Sequence, residues 1–227
     1  MPNKSVWKFA CSLLAAVIAV VGLAPAAWAA KRSPKPRPPD PLALLAKQTL
    51  DAFHGADFTP VAQVASGGAV FSALSDVTAA DAYVLLRSHL ATVVASRLQS
   101  TTAEALDAAW GDASPERMLV ILSALSQVGT RYRWGNEQPG VGFDCSGLTQ
   151  WSWAQVAVTL PRSAWSQIHS VVGRTAAQLE VGDLVYHVEH VSLYLGAGHA
   201  VIDAPQTGKY VDVKDWRRET RFGNPLG

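Results

Sequence analysis

The chain has 227 residues, 49% of them hydrophobic and 16% charged, with a net charge of +1. That balance excludes a strongly basic nucleic-acid binder and a charge-rich disordered chain, and the length allows one good core plus a smaller helical part. Only two cysteines are present, Cys11 and Cys145.

Met1–Ala29 reads as a secretory signal peptide. Lys4 and Lys8 give the positive start, Phe9 to Leu23 is the apolar run, and Ala27-Trp28-Ala29 is a small-x-small site with cleavage expected before Ala30. The run falls short of the ~20 apolar residues of a membrane span, and Pro25 follows it. No stable membrane insertion is therefore expected after cleavage. Loss of Lys4 and Lys8 with the signal takes the net charge from +1 to −1. Cys11 leaves as well, so an exported chain retains a single cysteine, Cys145. A leftover cysteine in a secreted protein points to intermolecular pairing or a reactive thiol.

Residues 30–41 are a Pro-rich basic linker that cannot pack a core. It acts either as a plain spacer or as a contact for an anionic wall polymer. Residues 42–112 read as a small helical region. Leu42, Leu45 and Leu50 mark one helix. Asp76 caps a second, with Val77, Ala80, Val84, Leu86, Leu90, Val93 and Val94 at near-helical steps, and Ala103–Trp110 forms a third. His54 and His89 stand alone there, without convergent chemistry.

Residues 113–227 carry the second domain. Ser114-Pro115-Glu116 is a helix start, with a capping serine, proline at the first helical position and an acid in the first turn. Met118, Ile121, Leu122, Leu125 and Val128 follow at helical spacing. A Gly-bounded loop, Gly129–Gly135, leads to Cys145, after which Leu148, Trp151, Trp153 and Val156 describe another helix. A short helix around Ser163–Ser170 follows. The chain then alternates: Leu184–Tyr186, His190–Leu195, His199–Asp203 and Tyr210–Val213 read as strands. Helices followed by an antiparallel sheet predict an α+β fold.

Cys145 sits between Asp144 and Ser146-Gly147 at the start of a helix, where the helix N-terminus favours a thiolate. A cysteine hydrolase also needs a base and a group that orients it. His187, His190 and His199 are the candidates for the base; on one straight strand His187 and His190 face opposite sides. His190 opens an alternating strand, and Asp203 ends the next, so a hairpin brings the two side by side. From spacing alone, a buried structural cysteine and a structural histidine remain the competing reading. No His/Cys/Asp cluster has metal-ligand spacing, and no cofactor is indicated.

Six segments appear in order: Gly129–Gly135, Gly142-Phe143-Asp144-Cys145-Ser146-Gly147-Leu148, Leu160-Pro161-Arg162-Ser163 with Gln167, Gly182-Asp183-Leu184-Val185, His190–Gly196 and Ile202-Asp203-Ala204-Pro205. Together they resemble the NlpC family (NlpC/p-sixty) of bacterial cell-wall cysteine peptidases, over roughly Pro115–Gly227. The resemblance implies a papain-like core with Cys145 as nucleophile, His190 as base and Asp203 in the third, polar position. It also implies that Tyr132 lines the site, that Asp144 and Ser146 help bind a substrate amine, and that Arg162 is cleft wall or scaffold, with Gln167 beside it. Arg131, Asn136 and Ser192 depart from the family's usual residues, and the short Asp183–His190 stretch keeps His187 in contention.

The implied activity is that of a secreted or wall-associated peptidoglycan endopeptidase, cutting the γ-D-glutamyl–diamino acid bond of stem peptides. An amidase, an acyltransferase on the same fold, and a non-catalytic wall-binding protein are the alternatives. Residues 42–112 are either a cover over the cleft or a scaffold.

Overall fold

The structure, a computed structural model, describes residues 38–56, 78–216 and 220–227. The signal segment, the linker up to residue 37 and Asp76 lie outside them. Pro39–Gly227 forms one compact unit.

Among the described residues four helices come first: α1 (Pro41–Gly55), α2 (Ala79–Ala95), α3 (Ala103–Asp112) and α4 (Pro115–Leu125). Each starts at a side-chain cap that satisfies otherwise unpaired amide groups. Asp40 accepts from the Leu42 amide with Pro41 behind it, and Thr102 and Ser114 cap α3 and α4. Thr78 and Asp81 form a reciprocal capping box at the start of α2. Thr78 is thus the cap of α2, two residues beyond the expected Asp76. Pro41 already belongs to α1, so the basic Pro-rich segment gives way to helix at its last residue. No helix among the described residues is long and apolar enough to cross a membrane.

A two-stranded ribbon, β1 (Glu137–Gln138) with β2 (Gly142–Phe143), precedes α5 (Cys145–Ala154) and α6 (Ala164–Ser170). The chain then builds a six-stranded sheet from β3 (Val172–Arg174), β4 (Leu184–His187), β5 (His190–Tyr194), β6 (Ala200–Asp203), β7 (Asp212–Asp215) and β8 (Arg221–Asn224). Its order is β3-β8-β4-β5-β6-β7, antiparallel throughout. The α+β expectation holds. Strands β3 and β8 were not anticipated, being short and glycine-bearing, and β7 starts two residues later than expected.

Two clusters cover the sheet. The main core takes Val191, Leu193, Ile202 and Val213 from one sheet face, packed with Leu42, Phe53, Leu90, Trp110, Ile121, Leu148 and Trp153 from the helices. The smaller cluster joins Val185, Tyr194 and Val201 with Trp216 and Phe222. The helical layer and the sheet therefore share one core. Trp110 Nε1 donates to the Leu195 carbonyl at 2.6 Å and Trp153 Nε1 to that of Gly182 at 3.2 Å, so both large indoles bury without an orphaned N–H.

Buried Arg117 pins α4 to the sheet. Its guanidinium donates to the Val181 carbonyl (2.6 Å), Asp183 (2.9 Å), Glu180 (2.7 Å) and Asn224 (2.8 Å). A buried guanidinium is tolerated because its donors find partners.

Candidate active site

Cys145 is the first residue of α5, half-buried, with Asp144 as the cap. Its amide lies among the first N–H groups of the helix, which have no intrahelical acceptor. The Asp144 carboxylate is heavily engaged. It accepts from the Gly147 amide (2.7 Å) and the Gly135 amide (2.7 Å), and takes Arg162 through two bonds of 2.9 and 2.6 Å. Ser146 Oγ accepts from Arg162 at 3.0 Å. Gln167 is buried behind them, donating to the Ser146 and Pro161 carbonyls and accepting from Thr149. Arg162 thereby ties the 131–136 loop to the α5 N-terminus while its own side chain stays 39% exposed.

Gly147 is required by a close approach: a Cβ there would overlap the Asn136 carbonyl oxygen. The same carbonyl accepts from the Asp144 amide at 2.9 Å. Tyr132 bridges to Phe143 at the edge of this loop. Burial, together with the negative charge of nearby Cys145 and Asp144, raises its pKa and keeps the phenol protonated.

Strands β4 and β5 form a hairpin through Val188 and Glu189, both at positive φ (22° and 59°), the backbone of a tight two-residue turn. His187 and His190 are register partners across it, with ring centroids 5.0 Å apart. The straight-strand premise that put them on opposite sides does not apply. Cross-strand partners share a face, and it is His190 that pairs with the acid. His190 Nε2 meets Asp203 Oδ2 at 2.5 Å, and Ser192 Oγ donates to the same oxygen at 3.3 Å. With Nε2 committed to Asp203, Nδ1 is the nitrogen available to the nearby Cys145 thiol.

Burial works against a charged ring at His190. The hydrogen bonds with Asp203 and Cys145, and their negative charge, outweigh it and raise the pKa from 6.5 to about 9. Asp203 is 1% exposed. Burial pushes its carboxyl up, but His190 and Lys214 hold it below the usual carboxylate range. Lys214 ion-pairs with the same Oδ2; it was not singled out from the sequence. His199 stands apart, its ring against Trp216 and its amide donating to Ser100.

Two cavities of about 410 Å³ adjoin one another through His187 and Thr220. One is lined by His190, Ser192, Gln206, Lys214 and Trp216, the other by Trp165, His169, Tyr186 and Arg221. Their walls come from the sheet, α6 and the connecting loops. The helical layer instead meets β7 and the β5–β6 turn, through Asp212, Asp215 and His199.

Residues 129–221 match the NlpC/P60 family. The bifunctional muramidase/DL-endopeptidase CwlT of Bacillus subtilis is 36% identical over 108 residues, covering 43% of this chain and 33% of that protein. The murein DD-endopeptidase MepH of Escherichia coli is 33% identical over 99 residues, 39% of this chain and 36% of that one. The chain thus spans about a third of the length of these two curated relatives. Among solved structures, the NlpC/p60 domain of the peptidoglycan hydrolase SagA aligns over 48% of this chain and 97% of that one, at 29% identity and a TM-score of 0.44. Over residues 129–221, this chain is thus similar to the NlpC/P60 family.

Proposed function

We propose that the protein is a peptidoglycan hydrolase that cuts stem peptides through a thiol mechanism, with Cys145 as nucleophile, His190 as proton carrier and Asp203 as orienter. One observation carries the reading: His190 Nε2 pairs with buried Asp203, while Cys145, at a helix N-terminus, lies near enough to the ring for its charge to act on it. The naming of the two relatives as a muramidase/DL-endopeptidase and a murein DD-endopeptidase supports the substrate class.

The raised His190 pKa favours an imidazolium beside a thiolate. Sγ attacks the peptide carbonyl carbon, and the carbonyl electron pair moves onto oxygen. The Cys145 amide donates to that oxyanion, as does the protonated Tyr132 phenol. As the oxyanion collapses, the C–N bond breaks and Nδ1–H passes its proton to the leaving amine. Water then attacks the thioester, giving its proton to Nδ1. The carboxyl product leaves and the thiolate returns. In this scheme Asp144, Ser146 and Arg162 form the wall that receives the amine end of the substrate.

The bond we propose is γ-D-glutamyl–diamino acid. CwlT is named a DL-endopeptidase and MepH a DD-endopeptidase, so family membership alone leaves the bond open. Residues 1–29 act in this reading as an export signal, placing the enzyme outside the cell or at the wall, with the basic linker toward anionic wall polymer. Mass spectrometry of purified muropeptides incubated with the wild type and with Cys145→Ala tests it. Cleavage by the wild type alone supports a thiol hydrolase, and the fragment masses name the bond. Equal cleavage by both, or none by either, overturns it.

A further inference from the structure

Lys214 plays no part in the chemistry above, yet its ammonium pairs with the Asp203 oxygen that takes both His190 Nε2 and Ser192 Oγ. The other oxygen, Oδ1, is buried without a hydrogen-bond partner among the described residues. All of the donors on this carboxylate therefore fall on one atom. Lys214 lies in β7, an edge strand of the sheet, paired among the described residues with β6 alone. Edge strands are the first to fray, but this one is held on both sides of Lys214. Arg97, just past α2, donates to Asp212 at 3.0 Å. The Gln99 amide and Ser100 Oγ donate to Asp215 at 2.8 and 2.5 Å. Arg97 also takes Asp40, the cap of α1, so the brace is anchored in the helical layer.

We propose that Lys214 is a positioning residue for His190, acting through Asp203, and that the Arg97–Ser100 turn of the helical layer holds the strand that carries it. The proposal rests on the thiol mechanism above and makes the helical layer part of the catalytic unit. Lys214 fixes which oxygen His190 meets. It also opposes the charge on the imidazolium: both nitrogens touch one oxygen and so lie within about 5 Å of each other, where like charges disfavour ionisation. Among the described residues, the other charged or titratable groups around Asp203 are His190 with His187 from the β4–β5 hairpin, Cys145 from α5 through His190, and from β7 Asp212, which Arg97 balances, and Asp215, which the Gln99 amide and Ser100 hold. Replacing Lys214 removes the nearby cation and frees Asp203 to give His190 its oxygens unshared, and both effects raise the His190 midpoint.

The test is an NMR titration of the His190 ring in wild type, Lys214→Met and Lys214→Arg, with the alkylation rate of Cys145 followed over the same pH range. The Met variant is expected to shift the His190 midpoint upward by about half to one pH unit, with the alkaline limb of alkylation moving alongside, and Arg to restore both. A midpoint that stays or falls in Lys214→Met, or an Arg variant that behaves like Met, overturns the proposal. Should Lys214→Met not fold, the Arg97→Lys/Ser100→Ala double variant, which weakens the brace and keeps the charge at position 97, takes its place: an upward shift supports the brace, and an unmoved midpoint overturns it. The titration does not depend on turnover, so absence of muropeptide cleavage would sink the functional reading without deciding this one.

Discussion

Arg162 lays both terminal nitrogens of its guanidinium across the Asp144 carboxylate, at 2.9 and 2.6 Å, one residue before Cys145. The pair joins the loop that carries Tyr132 to the helix that carries the thiol, because Asp144 also takes the amides of Gly135 and Gly147. A planar fork matches a carboxylate in a way an ammonium cannot.

Arg162→Ala is expected to lower kcat/KM by about tenfold to a hundredfold, the scale of a small misplacement of reacting groups. Arg162→Lys should recover little of it, because a single ammonium cannot span both oxygens. Steady-state kinetics on a purified muropeptide, with thermal melts of each variant, checks this. A lysine variant with wild-type kinetics would show that the two-pronged geometry is not needed.

The His190–Asp203 pair predicts a pH dependence of known sign. The folded pKa of His190, about 9, lies above its unfolded value of 6.5. Its contribution to stability is therefore complete below about pH 6.5 and fades as the pH rises through about 9. Turnover that needs the imidazolium falls over the same alkaline range. The alkaline limb of kcat/KM should sit near 9, and in Asp203→Asn, which removes the anion, it should move down. A limb that stays in place in that variant would detach Asp203 from the titration of His190.

Gly147 gives a packing prediction. The Asn136 carbonyl oxygen passes where a Cβ would stand, and it also receives the Asp144 amide. Gly147→Ala must push the 131–136 loop off the α5 N-terminus. Its helix propensity improves by up to about 1 kcal/mol, yet the variant should melt lower and lose most activity. A stabilised, fully active Gly147→Ala would mean that the loop yields freely.

Much of this was readable along the chain, because caps and alternation are local signals. Ser114-Pro115 and Asp144 start their helices as their chemistry requires, and the polar alternation of His190 and Ser192 marks one sheet face. Lys214 was not readable. Its approach to Asp203 depends on the β6–β7 register, in which Val201 faces Lys214, and a strand expected two residues early misplaces it. The tight turn at Val188-Glu189 was hidden for a related reason: neither residue is a glycine or asparagine, the usual markers of positive φ. The helical region read as a separate bundle or cap because periodicity says which face is apolar, not what covers it.

That shared core gives the last prediction. Trp110 is 1% exposed, lies in α3, and donates to the Leu195 carbonyl at the end of β5. Gly196, at φ 106°, packs beside its ring. Trp110→Ala removes a large buried side chain and orphans a carbonyl, at a cost of about 3–5 kcal/mol, comparable with the whole stability of a small domain. The same reasoning applies to the fragment 114–227. It leaves Leu122, Leu125 and the inner sheet face without Leu42, Leu90, Leu106 and Trp110 against them. Thermal melts and light scattering of the fragment should show no cooperative transition and extensive association. A fragment that melts cooperatively and cuts muropeptides faster than the longer chain would instead make the helical layer a removable inhibitor.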